Sequence, residues 1–352
     1  MSAKPDDIIR LRETLLDWYD REGRSLPWRI RPEARAAGRV ADPYAIWLSE
    51  IMLQQTTVPH ATPYWFRFLD LWPRVRDLAA APREDVMREW AGLGYYARAR
   101  NLHACARFVA DELGGVFPDT LDGLKALPGV GEYTANAILA AAFDKPASVV
   151  DGNVERVVTR LRRVQTPLPR AKPEIRRLAG EIASPERPGD YAQAIMDLGA
   201  TVCTPRTPDC AACPWAFGCA GYREGDAQRY PLKEKKKARP VRHGIAWLVR
   251  GPRGLWLRQR PDKGLLGGMT EVPSTEWAEG EPLAVPPFQG DWADRGEVRH
   301  VFTHFELRLR VREASPVSGW EPEDGFWAEE GALDAQALPS VMRKVVAVRR
   351  GA

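Results

Sequence analysis

At 352 residues the chain is long enough to bury a large core and to form two or more domains. Charged residues make up 28% of it and its apolar runs are short, which excludes a membrane-spanning helix. The net charge of +4 is mild but uneven: residues 223–242 carry eight Lys or Arg against three acidic residues, so the remainder is slightly negative.

The opening Met1-Ser-Ala-Lys-Pro-Asp-Asp7 has neither the apolar centre of a signal peptide nor the acid-poor make-up of a transit peptide. The expectation is a soluble, cytoplasmic protein. A first helix is predicted from Ile8, Ile9, Leu11, Leu15, Leu16 and Trp18, which fall on one face. Helical spacing continues through Trp47, Leu48, Ile51 and Met52, with Glu50 at the border of that apolar stripe. It recurs at Ile138, Leu139, Ala142 and Phe143. Pro and Gly punctuate these runs at Asp42-Pro43, Trp72-Pro73, Gly92-Leu-Gly94, Gly114-Gly115 and Pro128.

In Leu127-Pro-Gly129-Val130-Gly131 two glycines flank one apolar residue just before a helical run. Such a turn exposes successive backbone N–H groups at a helix start, an anion site suited to a phosphate diester. Asp151 follows at the end of an apolar run, about twenty residues on. It sits where it would cap the helix from Gly152 to Arg162, with Asn153 among the first helical residues. A phosphate anchor with a carboxylate nearby points to chemistry on a nucleotide held in a DNA backbone.

Four of the five cysteines form the run Cys203-x6-Cys210-x2-Cys213-x5-Cys219. In a cytosolic chain, thiols this close argue for a metal rather than disulfides. Zinc would close such a site structurally and a 4Fe–4S cluster also takes four thiolates, so the residues leave both open. Cys105, on a helical pattern, reads as a small buried apolar residue. Beyond it, residues 223–240 combine basic charge with Gly225, Pro231 and Pro240 and few aliphatics, the make-up of a linker. The period then changes to two: Ile245, Trp247 and Val249 alternate, Gly251-Pro-Arg-Gly254 turns into Leu255 and Leu257, and Phe305 to Arg312 alternates apolar with charged residues. A terminal helix is predicted after Pro339.

The hairpin with its trailing Asp, followed by the cysteine run, resembles the helix-hairpin-helix DNA glycosylases of the endonuclease III superfamily. Trp47-Leu-Ser-Glu50-Ile-Met-Leu-Gln-Gln-Thr56 and Gly92-Leu-Gly-Tyr-Tyr-Ala-Arg-Ala-Arg-Asn101 resemble the A/G-specific adenine glycosylases of the MutY type within it. The match runs from Leu26-Pro-Trp-Arg29 to Tyr222 and continues more loosely to the end.

The resemblance implies a multidomain α and α+β protein. An all-helical helix-hairpin-helix glycosylase domain spans 1–222 and carries a 4Fe–4S cluster on Cys203, Cys210, Cys213 and Cys219, in the loop 203–219. A basic linker covers 223–240, and a Nudix-like α+β domain reading 8-oxoguanine covers 241–352. It casts Glu50 as the general acid at adenine N7 and Asp151, assisted by Asn153, as stabiliser of a cationic sugar. Trp28, Arg29, Leu53 and Gln193 line the adenine pocket. Gln54, Gln55 and Tyr95 hold the opened duplex, and Gly129, Val130 and Gly131 grip its backbone.

Tyr133 stands where lyase relatives carry a lysine, which implies base removal without strand cleavage. Phe302-Thr303-His304 matches the family's Phe-Ser-His lesion loop with Thr for Ser. Glu271, Glu276, Glu279 and Glu281 do not have the spacing of a magnesium-binding Nudix cluster, so this domain is expected to bind rather than hydrolyse. The expected partner is duplex DNA with adenine opposite 8-oxoguanine or guanine, met by a monomer associated with the nucleoid. Two rivals are a glycosylase/lyase for oxidised pyrimidines and a non-catalytic DNA-binding module.

Overall fold

The predicted first helix forms over Pro5–Glu22 in the computed structural model, which describes residues 5–234 and 238–348. Lys235, Lys236 and Lys237 of the expected linker lie outside the described residues, as do Met1–Lys4. Leu11, Leu15, Leu16 and Trp18 are buried as the spacing predicts, and Tyr19 completes their face. Ile9 is half exposed instead, because one face of a helix passes through positions four apart and leaves it beside the stripe.

Contacts divide the chain into two units, Met1–Ala81 with Asn101–Lys235 and Pro82–Arg100 with Lys236–Ala352. The first is helical. Its core joins Leu11, Leu15 and Tyr19 to Val154, Val157 and Leu161 of the helix Gly152–Arg162, to Ile175 and Ile182 of Lys172–Ile182, and to Tyr191, Ile195 and Leu198. Each such side chain contributes about 1.5–3 kcal/mol by leaving water. The helix Pro43–Leu53 starts with Asp42 accepting from the Tyr44 N–H (2.9 Å) and Pro43 in its first turn. It is apolar nearly all round, with Tyr44, Ile46, Trp47, Leu48, Ile51 and Met52 all buried, so it is a central helix rather than a one-sided one. Glu50 is the one carboxylate within it.

The cysteine loop is pinned to this core. Trp215, between Cys213 and Cys219, is buried and donates its indole N–H to the Leu11 carbonyl (2.8 Å). The segment read as linker is also folded down as far as residue 234. Tyr230 is buried, its hydroxyl accepts from Gln165 (2.8 Å), and Leu168 pairs by backbone with Leu232 and Glu234. One buried aromatic and these backbone bonds outweigh the scarcity of aliphatic residues that suggested a free connector.

Among the described residues of the second unit six strands form one mixed sheet: β1 Val241–Gly251, β2 Gly254–Gln259, β3 Thr270–Glu271, β4 Ala293–Val301, β5 Glu306–Ala314 and β6 Phe326–Ala328. The order is β3-β2-β1-β5-β4, with β6 also on β2 and β1 parallel to β5. Alternation sorts the faces: Ala246, Leu248, Leu307, Leu309 and Val311 pack under the helix Ser340–Val346 through Val341, Met342 and Val345. The opposite face is also covered, by Phe288 and Trp292 with Trp256, Trp320 and Trp327, so β1 is buried on both sides. The chain from Val272 to Trp292 that brings Phe288 and Trp292 there contains no helix. Glu271 is buried and held by Arg258 (2.7 Å) and by Arg260, while Glu276, Glu279 and Glu281 lie on that irregular stretch.

Candidate active site

Glu50, on the central helix, and Asp151, at the start of Gly152–Arg162, open into one cavity of about 470 Å³. That volume suits a planar heterocycle rather than a macromolecular groove. Tyr133 and Asn153 line the same cavity, as do Trp28, Arg29, Leu53, Gln193, Gln54 and Gln55. Residues scattered over Trp28 to Gln193 are thus brought together by the helices Pro43–Leu53, Glu132–Phe143, Gly152–Arg162 and Pro188–Asp197, with Trp28 and Arg29 on the chain before the first of them and Gln54 and Gln55 on the turn after it.

Burial pushes the Glu50 carboxyl up to about 7. The charge of Arg29 and the Tyr133 hydroxyl, 3.4 Å from Glu50 Oε2, oppose that rise, and Asp151 adds to it. Glu50 is therefore about half protonated at neutral pH, with a proton that it can give away. Tyr133 is itself held neutral, first by the charge of Glu50 and then by burial.

Asp151 does two local jobs at once. Its Oδ1 accepts from the Val154 N–H (2.7 Å), the helix cap expected from the sequence, and its Oδ2 accepts from Asn153 Nδ2 (2.8 Å). Asn153 is fixed in turn by Arg156, whose Nη2 donates to Asn153 Oδ1 (2.9 Å) and to the Gly199 carbonyl (2.7 Å). A Cβ on Gly199 would come within 2.6 Å of Asn153 Cβ, so only glycine lets these two segments meet.

Two residues that no motif singles out, Asp197 and Met196, also belong to the site. Asp197 is fully buried and takes both Arg29 (2.7 and 2.9 Å) and Arg24 (2.7 Å) on its carboxylate. Burial works against its charge, but these guanidinium bonds hold its carboxyl below the usual range. Asp197 lies four residues after Gln193 on the helix Pro188–Asp197, so helical spacing from one pocket residue would have pointed to it. Met196 also lines the cavity, 3.8 Å from the Tyr133 hydroxyl. Because Asp197 offsets the charge of Arg29, Asp197→Asn should leave Arg29 freer to draw the proton off Glu50. The pH above which activity declines is then expected to move down by about one unit, the equivalent of roughly 1.4 kcal/mol. An unmoved pH–rate profile in a folded variant would remove Asp197 from that role.

The glycine hairpin leads into the helix Glu132–Phe143. Gly129 has φ +75° and its Cβ position is occupied by Asn101, so glycine is required there twice over. Gly131 caps the helix and faces open space, while Val130 is buried beneath the turn. Two non-glycine residues adopt the left-handed region nearby in sequence to the motifs, Gln55 (φ 57°) and Tyr95 (φ 50°), and both are exposed. Tyr95 is fixed from below: Arg98 donates to the Leu93 (3.0 Å) and Gly94 (3.2 Å) carbonyls and lies 5.5 Å from the Tyr95 ring. Tyr96, by contrast, is packed inside.

The four cysteines of the run line one small cavity together with Arg160. Cys105 is apart from them, fully buried, and burial pushes its thiol up to about 12. In the second unit, Phe302-Thr303-His304 forms the tip between β4 and β5, closed by Phe302 N–H on the Phe305 carbonyl (2.8 Å). Phe302 stacks with Trp277 (5.9 Å) and packs on Phe305 (4.8 Å), which leaves Thr303 and His304 exposed at the tip.

Fold and site define a helix-hairpin-helix base-excision protein. Residues 48–184 match the HhH-GPD superfamily base excision DNA repair protein family, and residues 245–348 match the NUDIX domain. A solved structure described as a thermostable thymine-DNA glycosylase superposes with a TM-score of 0.56 at 28% identity, over 63% of this chain and 100% of that one. Adenine DNA glycosylase of Mus musculus is 35% identical over 96% of this chain and 78% of its own length, and that of Homo sapiens 34% over 98% and 75%. The chain belongs to the adenine DNA glycosylase family.

Proposed function

We propose that this protein hydrolyses the N-glycosidic bond of adenine mispaired with 8-oxoguanine or guanine in duplex DNA, as a monomer working at the nucleoid. The observation that carries the reading is a carboxylic acid protonated near pH 7, Glu50, in one cavity with a second carboxylate, Asp151. Two carboxyl groups in different environments divide the work of glycoside cleavage. The adenine must leave the stack to reach the cavity. Glu50 donates its proton to N7, the C1′–N9 bond breaks with its electron pair going to the base, and the sugar becomes cationic at C1′. Asp151 stabilises that charge, with its oxygens already oriented by Val154 and Asn153. Water then bonds to C1′, and the proton it loses returns the Glu50 carboxylate to its acid form.

Among the described residues no lysine lines the cavity, and Tyr133 offers no amine; strand cleavage through a Schiff base is therefore not expected. Single-turnover excision tests the reading on duplexes with adenine opposite each normal base and opposite 8-oxoguanine. Release of adenine fastest opposite 8-oxoguanine supports it, and no free adenine with enzyme in excess over duplex would sink it. Borohydride trapping as efficient as that of a true lyase would revive the glycosylase/lyase reading.

The four thiols of the run line one small cavity, and we propose that they hold a 4Fe–4S cluster, which takes four thiolates. Arg160 beside it is 1% exposed and, among the described residues, pairs with no carboxylate. It donates to the Thr204 (2.7 Å), Pro205 (2.8 Å) and Tyr230 (3.1 Å) carbonyls and to Cys203 Sγ (3.3 Å). A buried guanidinium needs an anion, and cluster-bound thiolates supply one. Bound there, the cluster serves as a clasp that holds Cys203, Cys210, Cys213 and Cys219 in one loop.

Thr303 and His304 are exposed at the tip between β4 and β5, and we propose that they read the base opposite the adenine. Thr303→Ala should lower the preference for 8-oxoguanine:adenine over guanine:adenine by roughly five- to tenfold, the worth of one hydrogen bond. An unchanged ratio of single-turnover rates would take Thr303 out of recognition.

A further inference from the structure

Tyr19 is fully buried, and its hydroxyl donates to Oε1 of Gln193 (3.1 Å), a residue 4% exposed that lines the catalytic cavity. Neither composition nor motif singles Tyr19 out. Resting on the adenine-excision reading above, we infer that Tyr19 is a positioning residue that fixes the Gln193 carboxamide with its NH2 toward the cavity, and so sets which purines the pocket accepts.

The orientation has a physical cause. A carboxamide is a donor at one end and an acceptor at the other, and turning it over exchanges them. A tyrosine hydroxyl could accept from the amide nitrogen instead, but its own proton would then need another acceptor in a buried place. Around it stand the guanidinium groups of Arg29 and Arg31, which offer only donors, and two carboxylates already engaged: Asp197 by Arg24 and Arg29, and Asp190 by Arg187. The hydroxyl itself bonds Gln193 rather than either carboxylate. Arg31 lies 5.2 Å from the Tyr19 ring centroid and donates to the Tyr19, Asp20 and Gly23 carbonyls. A buried hydroxyl proton without an acceptor costs more than the alternative arrangement gains. The proton therefore points at Oε1, and Nε2 is left for the cavity.

A donor facing the cavity matches a purine with a bare ring nitrogen, as at N1 of adenine. It meets another donor when the purine carries N1–H, as hypoxanthine does at nearly the same shape. Polar mismatch of this kind discriminates far better than a difference in size. Without the Tyr19 hydroxyl the carboxamide can turn over and accept from N1–H.

The test is single-turnover release of adenine and of hypoxanthine from the same position opposite the same base, by the full chain and by Tyr19→Phe. The adenine-to-hypoxanthine rate ratio is expected to fall about tenfold in Tyr19→Phe, the worth of one oriented hydrogen bond. A variant that slows both bases equally would make Tyr19 a packing residue and overturn the inference. Gln193→Leu provides the second arm: it should lower the ratio as well, and adding Tyr19→Phe to it should change the ratio no further. A ratio that Gln193→Leu leaves untouched also overturns the inference, whatever Tyr19→Phe does. Failure of the unaltered protein to release adenine would instead be a failure of the proposed activity.

Discussion

Glu50→Gln should lower single-turnover adenine release by about a hundred- to ten-thousand-fold, the span that a positioned general acid supplies. Binding to lesion duplex should persist, because glutamine has the same shape and the cavity walls are unchanged. The fold should not suffer either. Burial already penalises the Glu50 carboxylate, so the neutral amide replaces a group that is neutral below pH 7 and unfavourable above it. The pH profile carries the sharper test. The acid must be protonated to act, and its carboxyl is pushed up to about 7. Activity should therefore be highest below that pH and fall about tenfold per unit above it, as an acid of that pKa loses its proton. Residual activity in Glu50→Gln should show no such fall. A rate near that of the unaltered protein, or a profile flat from pH 6 to 9 before mutation, would sink the assignment.

The rise at Glu50 was only half legible in the sequence. Position on the helix placed it at the edge of an apolar stripe, which predicts partial desolvation. That the helix is apolar nearly all round, and that Arg29 opposes the rise while clamped by Asp197, depends on segments over a hundred residues away. Local patterns predicted the Asp151 cap, the buried Cys105, the strands β1, β2 and β5 and the helix after Pro339, because each follows from spacing within a few residues; β3, β4 and β6 carried no such pattern. They did not reach Tyr19, Arg156 or Arg160, since a hydrogen bond across the core leaves no period behind. The linker shows the opposite failure. Its composition resembled a solvated connector, yet Tyr230 and the backbone pairing with Leu168 hold it down to residue 234. Composition registers how many apolar groups a segment has, not whether one of them finds a socket.

Asp151→Asn should cost about a hundredfold or more in single-turnover release, in line with removing one preorganised electrostatic contact from a charged transition state. Asparagine is a good helix cap, so the loss is not one of folding. Its carboxamide cannot reproduce both bonds, however. Asp151 accepts from Val154 N–H and from Asn153 Nδ2 with its two oxygens, and an amide has only one. Either the cap or the link to Asn153 is given up, which costs about 1 kcal/mol of stability and is read as a small fall in the melting temperature. The rate loss should exceed anything that such a fall explains, because the missing charge is what faces the cationic sugar. The two carboxylates are then separable by pH. Glu50 still titrates in Asp151→Asn, so the decline at high pH should remain, moved slightly lower because Asp151 no longer helps to raise the Glu50 carboxyl. In Glu50→Gln that decline disappears. If Asp151→Asn instead gave a flat profile, Asp151 would be acting through the proton on Glu50, and the positive charge would have to be met by another group in the cavity.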